Sequence, residues 1–425
     1  MKNYVSIQSD SPLNEECIFD LIDEAIGELT PNGRKFLLLP PDYTRFHSFG
    51  GQITAHLYKK LSEQGLAVSV LPATGTHDHM TEQEVCDFFG GMIPYKKILR
   101  HDWRGGIVKL GEIPGEYVSR LSEGLVNNSI DVEVSKAIVD RSFDAIISIG
   151  QVVPHEVAGM SNHNKNIFVG CGGGSIINGS HMLGAIYGME RIIGRVKTPV
   201  RELFNYAEDK FLKDIPITYL LTVTTGHGRE VNVHGVFAGK GREMFEKAAE
   251  LSHEKNIFLV GKPVKKMVVN LDLNEFKSAW LANKAIYRTR MAIEDGGELV
   301  ILAPGVAKFG EDFTNDNLIR KYGYKGREYI VSLLKCASDL NENLSVAAHL
   351  IHGSSEGRFK ITYAVIKLDR ETIENVGYNH SDYESAANKY RPFVHREGFN
   401  TLPNGEEFYY VDNPALGLWA CPSLR

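Results

Sequence analysis

Six residues of the chain have types and spacing suited to chemistry. Asp42 and Arg45 lie in the run Pro40-Pro41-Asp42-Tyr43-Thr44-Arg45, and His77 closes the run Ala73-Thr74-Gly75-Thr76-His77. His155, Lys165 and His181 are spread through one long stretch rich in glycine and histidine. Imidazole titrates near neutral pH, so these histidines suit proton transfer or metal binding. A lysine among glycines can hold a phosphate or attack an electrophile. Ser161-Asn162-His163-Asn164 leads into Lys165, and Gly172-Gly173-Gly174 follows it, glycines that let backbone amides approach a phosphate or a planar group. Each residue alone has a plainer reading. Most of 15 histidines are structural, an isolated lysine is solvated, Asp42–Arg45 is a local ion pair, and glycine clusters mark turns.

Shared position raises the functional reading above the plain one. Residues 35–40 (KFLLLP), 67–73 and 143–151 (FDAIISIGQ) are continuous apolar runs, the pattern of strands buried on both faces of a parallel sheet. Asp42–Arg45, His77 and the stretch from His155 to His181 each follow one of them. In open α/β sheets, ligands bind beyond the carboxyl ends of the strands. Helices are predicted over 52–64, ended by Gly65, and over 82–89, capped by Thr81. Strands over 217–224 and 230–238 and a helix over 242–253 continue the series. A polar break at 261–266 (GKPVKK) starts a second α/β unit: a strand over 266–271, a helix over 275–294, a strand over 298–303 after Gly296-Gly297, and a strand over 359–366. The fold class expected is therefore α/β in two domains: a larger N-terminal one with a mostly parallel sheet, residues 1–262, and a smaller C-terminal one, residues 266–404. The tail 405–425 is a candidate to rejoin the first, and the active site is expected in the cleft between the two.

Composition excludes several classes. Over 425 residues, 43% hydrophobic and 24% charged residues describe a globular chain, not a disordered or fibrous one. No apolar run of about 18 residues exists to span a bilayer, and no secretion signal is evident. A net charge of -6 without a basic block argues against nucleic acid or an anionic membrane as partner. Five scattered cysteines, none in a Cys-x-x-Cys pair, read as reduced thiols of a cytoplasmic protein. Stock motifs fail as well. His155-Glu156 is not followed by x-x-His, and neither G-x-G-x-x-G nor the P-loop occurs.

At these loops the sequence resembles the nickel-dependent lactate racemase family. That family's Asp-x-Thr-Arg motif is matched by Asp42-Tyr43-Thr44-Arg45, and its Ala-Thr-Gly-x-His motif by Ala73 to His77. Its next histidine precedes a cofactor lysine by ten residues and a metal-binding histidine by twenty-six, spacings that His155, Lys165 and His181 reproduce. A lysine opening a Lys-Ala helix in the second domain is matched at Lys284-Ala285. Two departures stand out. The family's Ser-Gly-Gly-x-Lys is Ser161-Asn162-His163-Asn164-Lys165 here, and a glutamine three residues before the second-domain lysine is Leu281.

The resemblance implies a cofactor, the nickel-pincer nucleotide, a nicotinate-derived mononucleotide that binds Ni through two sulfurs and a ring carbon. It implies an isomerase that inverts C2 of a 2-hydroxy acid. Hydride passes to the cofactor while a histidine takes the hydroxyl proton, and hydride returns to the other face of a planar 2-keto acid. On this reading His77 and His155 are the two bases, His181 binds nickel, and Lys165 holds the cofactor. Asp42 and the glycines Gly172, Gly173 and Gly174 bind the nucleotide, while Arg45 and Lys284 neutralise the substrate carboxylate. Polar Asn162 and His163 in place of glycines suggest a polyhydroxy acid, an aldonate such as gluconate, because hydroxyl-binding sites discriminate strongly. The alternatives are lactate, malate or another short 2-hydroxy acid as substrate, a zinc-type hydrolase using His77, His155 and His181, and a non-catalytic sugar-acid-binding protein. Proteins of cofactor biosynthesis are the partners such a cofactor requires.

Overall fold

In the computed structural model, which describes residues 4–226, 230–392 and 394–424, the apolar runs pair as one sheet. Its strands are β1 (Tyr4–Gln8), β2 (Lys35–Leu39), β3 (Ala67–Val70), β4 (Ala145–Gln151), β5 (Ile217–Thr225) and β6 (Asn232–Gly239), in the order β1-β6-β5-β4-β2-β3. The four strands β5-β4-β2-β3 are parallel, and β6 and β1 extend the sheet antiparallel. All seven residues of β4 are buried, as a central strand covered on both faces must be.

Helix α1 (Glu15–Leu29) is capped by Asn14, whose side chain accepts from the Glu16 and Cys17 amides, and it buries Ile18, Ile22, Ala25 and Ile26. That stripe has helical spacing, and each isoleucine contributes roughly 1.5–3 kcal/mol of transfer free energy. Helix α2 (Gly50–Glu63) follows the loop that carries Asp42 and Arg45. Gly51 has to be glycine there, because a Cβ would lie 2.1 Å from the Phe88 carbonyl oxygen. Three further helices are α3 (Gly174–Tyr187), α4 (Pro199–Phe211) and α5 (Arg242–Asn256).

The chain divides into two compact units, Met1–Leu183 with Ile192–Asn256, and Gly184–Arg191 with Ile257–Arg425. The second has its own sheet: β7 (Val264–Asn270), β8 (Ile293–Leu302), β9 (Lys360–Val365), β10 (Asn379–Asp382), β11 (Gly398–Thr401) and β12 (Glu407–Val411), ordered β10-β9-β8-β7-β12-β11. Only the β11–β12 pair is antiparallel. No helix among the described residues is long and apolar enough to cross a membrane.

Three expectations are corrected. The tail does not rejoin the first unit: β12 pairs with β7, and Leu418–Ala420 pairs with Ile257–Leu259 inside the second. The helix expected over 275–294 is two short ones, Ala279–Ala282 and α6 (Lys284–Thr289). Ser278 caps the first, and the buried Asn283 between them is held by the hydroxyls of Tyr363 and Tyr378 at 2.6 and 3.1 Å. Finally, His181 lies on α3 and not in a loop.

Candidate active site

The segments leaving β2, β3 and β4 are stitched together at the carboxyl end of the sheet. The Ala73 amide donates to the Pro40 carbonyl (2.8 Å), and the Gly75 amide to the Gly170 carbonyl (2.8 Å). The side chain of Asn166, next to Lys165, donates to the Leu39 carbonyl at 3.2 Å and to Ser148 Oγ at 3.0 Å. Asn166 thereby fixes the backbone next to Lys165 at the end of β2 and the middle of β4, at the start of a π-helical turn, Asn166–Gly170. Such turns often mark functional sites.

Asp42 caps the short helix after β2 and accepts from the Thr44 amide. Its Oδ2 lies 2.6 Å from His77 Nδ1. Burial raises the Asp42 carboxyl, but His77, by charge and hydrogen bond, together with Thr44 and Arg45, outweighs it and brings the group down to about 2. The carboxylate is therefore ionised at any working pH and accepts the Nδ1 proton of His77, leaving Nε2 of that ring to act. Thr74, three residues before His77, has a buried hydroxyl with no hydrogen-bond partner, a polar atom held ready for something absent from the protein itself.

Lys165 shares this electrostatic neighbourhood. Burial, then the charge of Arg45, lowers its ammonium to about 8, against the opposing pull of Glu156 and Asp42. A substantial fraction of the amine is neutral near that pH, the state that can attack an electrophile. Burial also lowers His181, to about 4, aided by the charge of Lys165 and opposed by Glu156. Its Nδ1 donates to the Ile177 carbonyl at 2.7 Å, so Nε2 is the nitrogen left for a metal, the arrangement usual for histidine ligands. The buried His155 has Glu156 Oε1 3.8 Å from Nε2, and its Nδ1 accepts from the amides of Val157 (3.1 Å) and Ala158 (3.4 Å). The sequence reading had no role for Glu156, which acts electrostatically on both Lys165 and His181.

Asn162 and His163 do not line this site as expected. Both adopt left-handed backbone, with φ of 62° and 57°, conformations that favour glycine. Asn162 Oδ1 bonds back to the His163 amide (2.8 Å), and the His163 ring stacks on Tyr219 (centroids 4.0 Å apart) and packs on Phe245 (5.3 Å). Burial, then the charge of Arg201, drives this imidazole down to about 3, so it is a neutral core aromatic. Arg201, on α4, holds the loop from below: it donates to the carbonyls of Met160 (2.6 Å) and Asn162 (3.1 Å) and to Asn164 Oδ1 (2.5 Å). The Asn164 amide in turn reaches Asn205 (2.9 Å) and Glu208 (3.0 Å).

Packing accounts for the glycines after Lys165. A Cβ on Gly172 would lie 1.8 Å from the Phe168 carbonyl oxygen, and one on Gly173 2.5 Å from Glu133 Oε2. The Gly173 amide donates to the Glu133 carbonyl (3.1 Å) and the Ser175 amide to its carboxylate (3.0 Å). A Cβ on Gly174 would lie 3.4 Å from the Trp103 ring. The start of α3 thus carries a carboxylate of the protein where a phosphate was expected. Lys284 opens α6 in the second unit, its ammonium 5.6 Å from the Phe276 ring centroid. Among the described residues no three His, Cys, Asp or Glu side chains converge on a metal position.

Residues 15–192, the segment holding Asp42, Arg45, His77, His155, Lys165 and His181, match the lactate racemase N-terminal domain family. Over nearly the whole chain, the fold is similar to that of a Thermotoga maritima protein, with a TM-score of 0.83, 25% identity and coverage of 97% of this chain and 99% of that one. It is also similar to the lactate racemase apoprotein of Thermoanaerobacterium thermosaccharolyticum, with a TM-score of 0.72, 17% identity and coverage of 96% and 93%. No curated protein matches the chain.

Proposed function

We propose that this protein is a racemase or epimerase inverting C2 of a small 2-hydroxy acid with a nickel-pincer nucleotide. The observation that carries the proposal is the grouping of Asp42–His77, Arg45 and Lys165 in one electrostatic neighbourhood inside the lactate racemase segment. The protein's own groups suit such a cofactor: one imidazole nitrogen, Nε2 of His181, for nickel, and one amine of lowered basicity, Lys165, for the organic part. When bound, the cofactor supplies a reversible hydride acceptor, which spares the substrate the carbanion that its own carboxylate opposes.

The rest falls to side chains. Arg45 grips the carboxylate, and its guanidinium can do so through two parallel hydrogen bonds. His77 Nε2 takes the hydroxyl proton, and Asp42 balances the imidazolium that forms, orienting the ring as a buried carboxylate does in an acid–base triad. Thr74 offers a hydroxyl to the bound molecules. Lys284 enters as a second carboxylate partner on the resemblance alone. The sugar-acid form of the proposal rested on Asn162 and His163, whose side chains are engaged with the loop and the core, so the substrate class we retain is the 2-hydroxy acid, with lactate, malate and gluconate as its test cases.

The experiment is to produce the protein alongside nickel and the cofactor's biosynthetic enzymes, measure bound metal, and follow each of those three acids by chiral chromatography. Nickel that disappears in His181→Ala, together with interconversion of one acid, supports the reading. Tightly bound zinc with no racemisation of any acid would overturn it in favour of a hydrolase or a binding protein.

A further inference from the structure

The second unit holds a cavity of about 240 Å³ with a strongly charged wall. Four arginines line it, Arg191, Arg290, Arg327 and Arg358, against two glutamates, Glu190 and Glu356. One wall is the end of α3 with the turn after it. The rest is Arg290 behind α6, Arg327 at the head of a helix (Arg327–Leu333) and the loop before β9. Part of this charge serves the fold. Glu190 Oε1 accepts from Arg290 Nε (2.9 Å) and Arg358 Nη1 (2.7 Å). Burial raises the Glu190 carboxyl, but the charges and hydrogen bonds of Arg290 and Arg358 outweigh it and hold the group below its ordinary range, so it is an anion at working pH. Arg358 also meets Asp295 (2.8 Å), an exposed residue outside the wall. Arg290 Nη1 donates to the Ser354 carbonyl and Arg327 Nη1 to the Ile186 carbonyl, each at 3.1 Å.

The fold does not use all of these donors. A guanidinium has five N–H groups. The Arg290 side chain is only 4% exposed, yet its Nη2 meets no acceptor among the described residues. That nitrogen is not sealed in the core, and the cavity is the open space that Arg290 borders. Nε and Nη2 of Arg327 likewise meet no acceptor among the described residues. Buried donors of this kind call for an acceptor. Four guanidiniums against two carboxylates also leave the wall two positive charges in excess, which a dianion balances and a monocarboxylate does not. We infer that this cavity binds a phosphate group, with its oxygens received by Arg290 Nη2 and by Nε and Nη2 of Arg327. The planar arginine fork matches two phosphate oxygens at once. Met189 and Ile351 add apolar wall beside the arginines, which suits the organic part of a small phosphate ester, and inorganic phosphate is the same chemistry without it. The cavity shares no residue with the group Asp42, Arg45, His77 and Lys165, and the inference is independent of the reaction proposed for them.

The test is isothermal titration calorimetry on the full chain at fixed ionic strength, with inorganic phosphate, glycerol 3-phosphate and acetate as probes. At about pH 7.5 a phosphate monoester is largely a dianion. At least one of the two phosphates should bind with one site per chain, and acetate should bind about tenfold more weakly or not at all. Arg327→Gln, at a half-buried position with one bond to the fold, should raise the phosphate Kd about tenfold or more. Arg290→Gln should do the same, provided that circular dichroism shows it folded. Lys165→Met should leave the Kd within about twofold, which separates this cavity from any phosphate held near the first sheet. Tighter binding of glycerol 3-phosphate would support an ester as the occupant, and tighter binding of inorganic phosphate the free ion. No binding of either phosphate, or acetate binding as well as they do, overturns the inference. So does a phosphate Kd that Arg327→Gln leaves unchanged, or one that only Lys165→Met disturbs.

Discussion

Asp42 Oδ2 and His77 Nδ1 lie 2.6 Å apart, the carboxylate buried and the imidazole about a third exposed. The pair joins the segment after β2 to the segment after β3. In the reading proposed above it makes an oriented base: the carboxylate fixes the ring and its proton, and leaves Nε2 on the open side of the ring. Because Asp42 loses its proton only at about 2, the arrangement persists across the pH range in which an enzyme works.

Asp42→Asn should keep the fold and lose the chemistry. An amide can present N–H to Nδ1, which moves the ring proton to Nε2 and removes the lone pair that acts. The expected loss in kcat is roughly 10³–10⁴-fold with little change in KM, the size seen when a triad carboxylate is replaced by its amide. Steady-state racemisation kinetics check it, and a change confined to KM would assign Asp42 to binding instead.

Lys165→Met should stabilise the cofactor-free protein. The amine titrates at about 8 in the fold against 10.5 when free, so below pH 8 the fold pays to keep it charged. Between pH 8 and 10.5 the unfolded chain binds more protons than the folded one, and stability rises with pH across that window. The gain from Met is therefore largest below pH 8, at most about 3 kcal/mol because solvent reaches part of the side chain, and it shrinks towards pH 10. Urea unfolding at pH 7 and pH 10 gives both numbers.

Arg201→Met should cost more than its distance from the reacting groups suggests. It leaves the Met160 and Asn162 carbonyls and Asn164 Oδ1 without their buried donor, a loss of about 3–5 kcal/mol. The midpoint of urea unfolding measures it, and a change below about 1 kcal/mol would show that water replaces the guanidinium.

His163→Asn tests the reassignment of that residue to the core. Asparagine tolerates the left-handed backbone but loses the stack on Tyr219 and Phe245, so stability should fall by about 1–3 kcal/mol. KM should stay within about twofold, since the ring is buried against Tyr219 and Phe245. A tenfold rise in KM would put His163 back in the binding site.

Much of this is legible in the sequence alone. β2 and β4 announced themselves as unbroken apolar runs, and the residues just beyond them are those that converge. What stayed hidden depended on partners far along the chain. Arg201 supports a loop 39 residues before it, and Asn283 breaks a helical pattern because tyrosines 80 and 95 residues later claim its side chain. Helix α3 was read as loop because its glycines look like turn-formers, although Gly179 is glycine to let Ile130 approach, its Cβ position lying 2.8 Å from that side chain. Asn162 and His163 misled for a local reason: side-chain polarity suggested ligand binding, while the backbone they adopt is legible only from φ.

The ties on that loop have a consequence for any molecule that binds at Lys165. Arg201 ties the carbonyls of Met160 and Asn162 and the side chain of Asn164 to α4, which leaves the loop fewer shapes to wander through. Lys165, at the end of that loop, is thus held in place by the protein's own contacts. A molecule docking there has little loop ordering to offset, so the affinity it gains from each contact is kept almost whole.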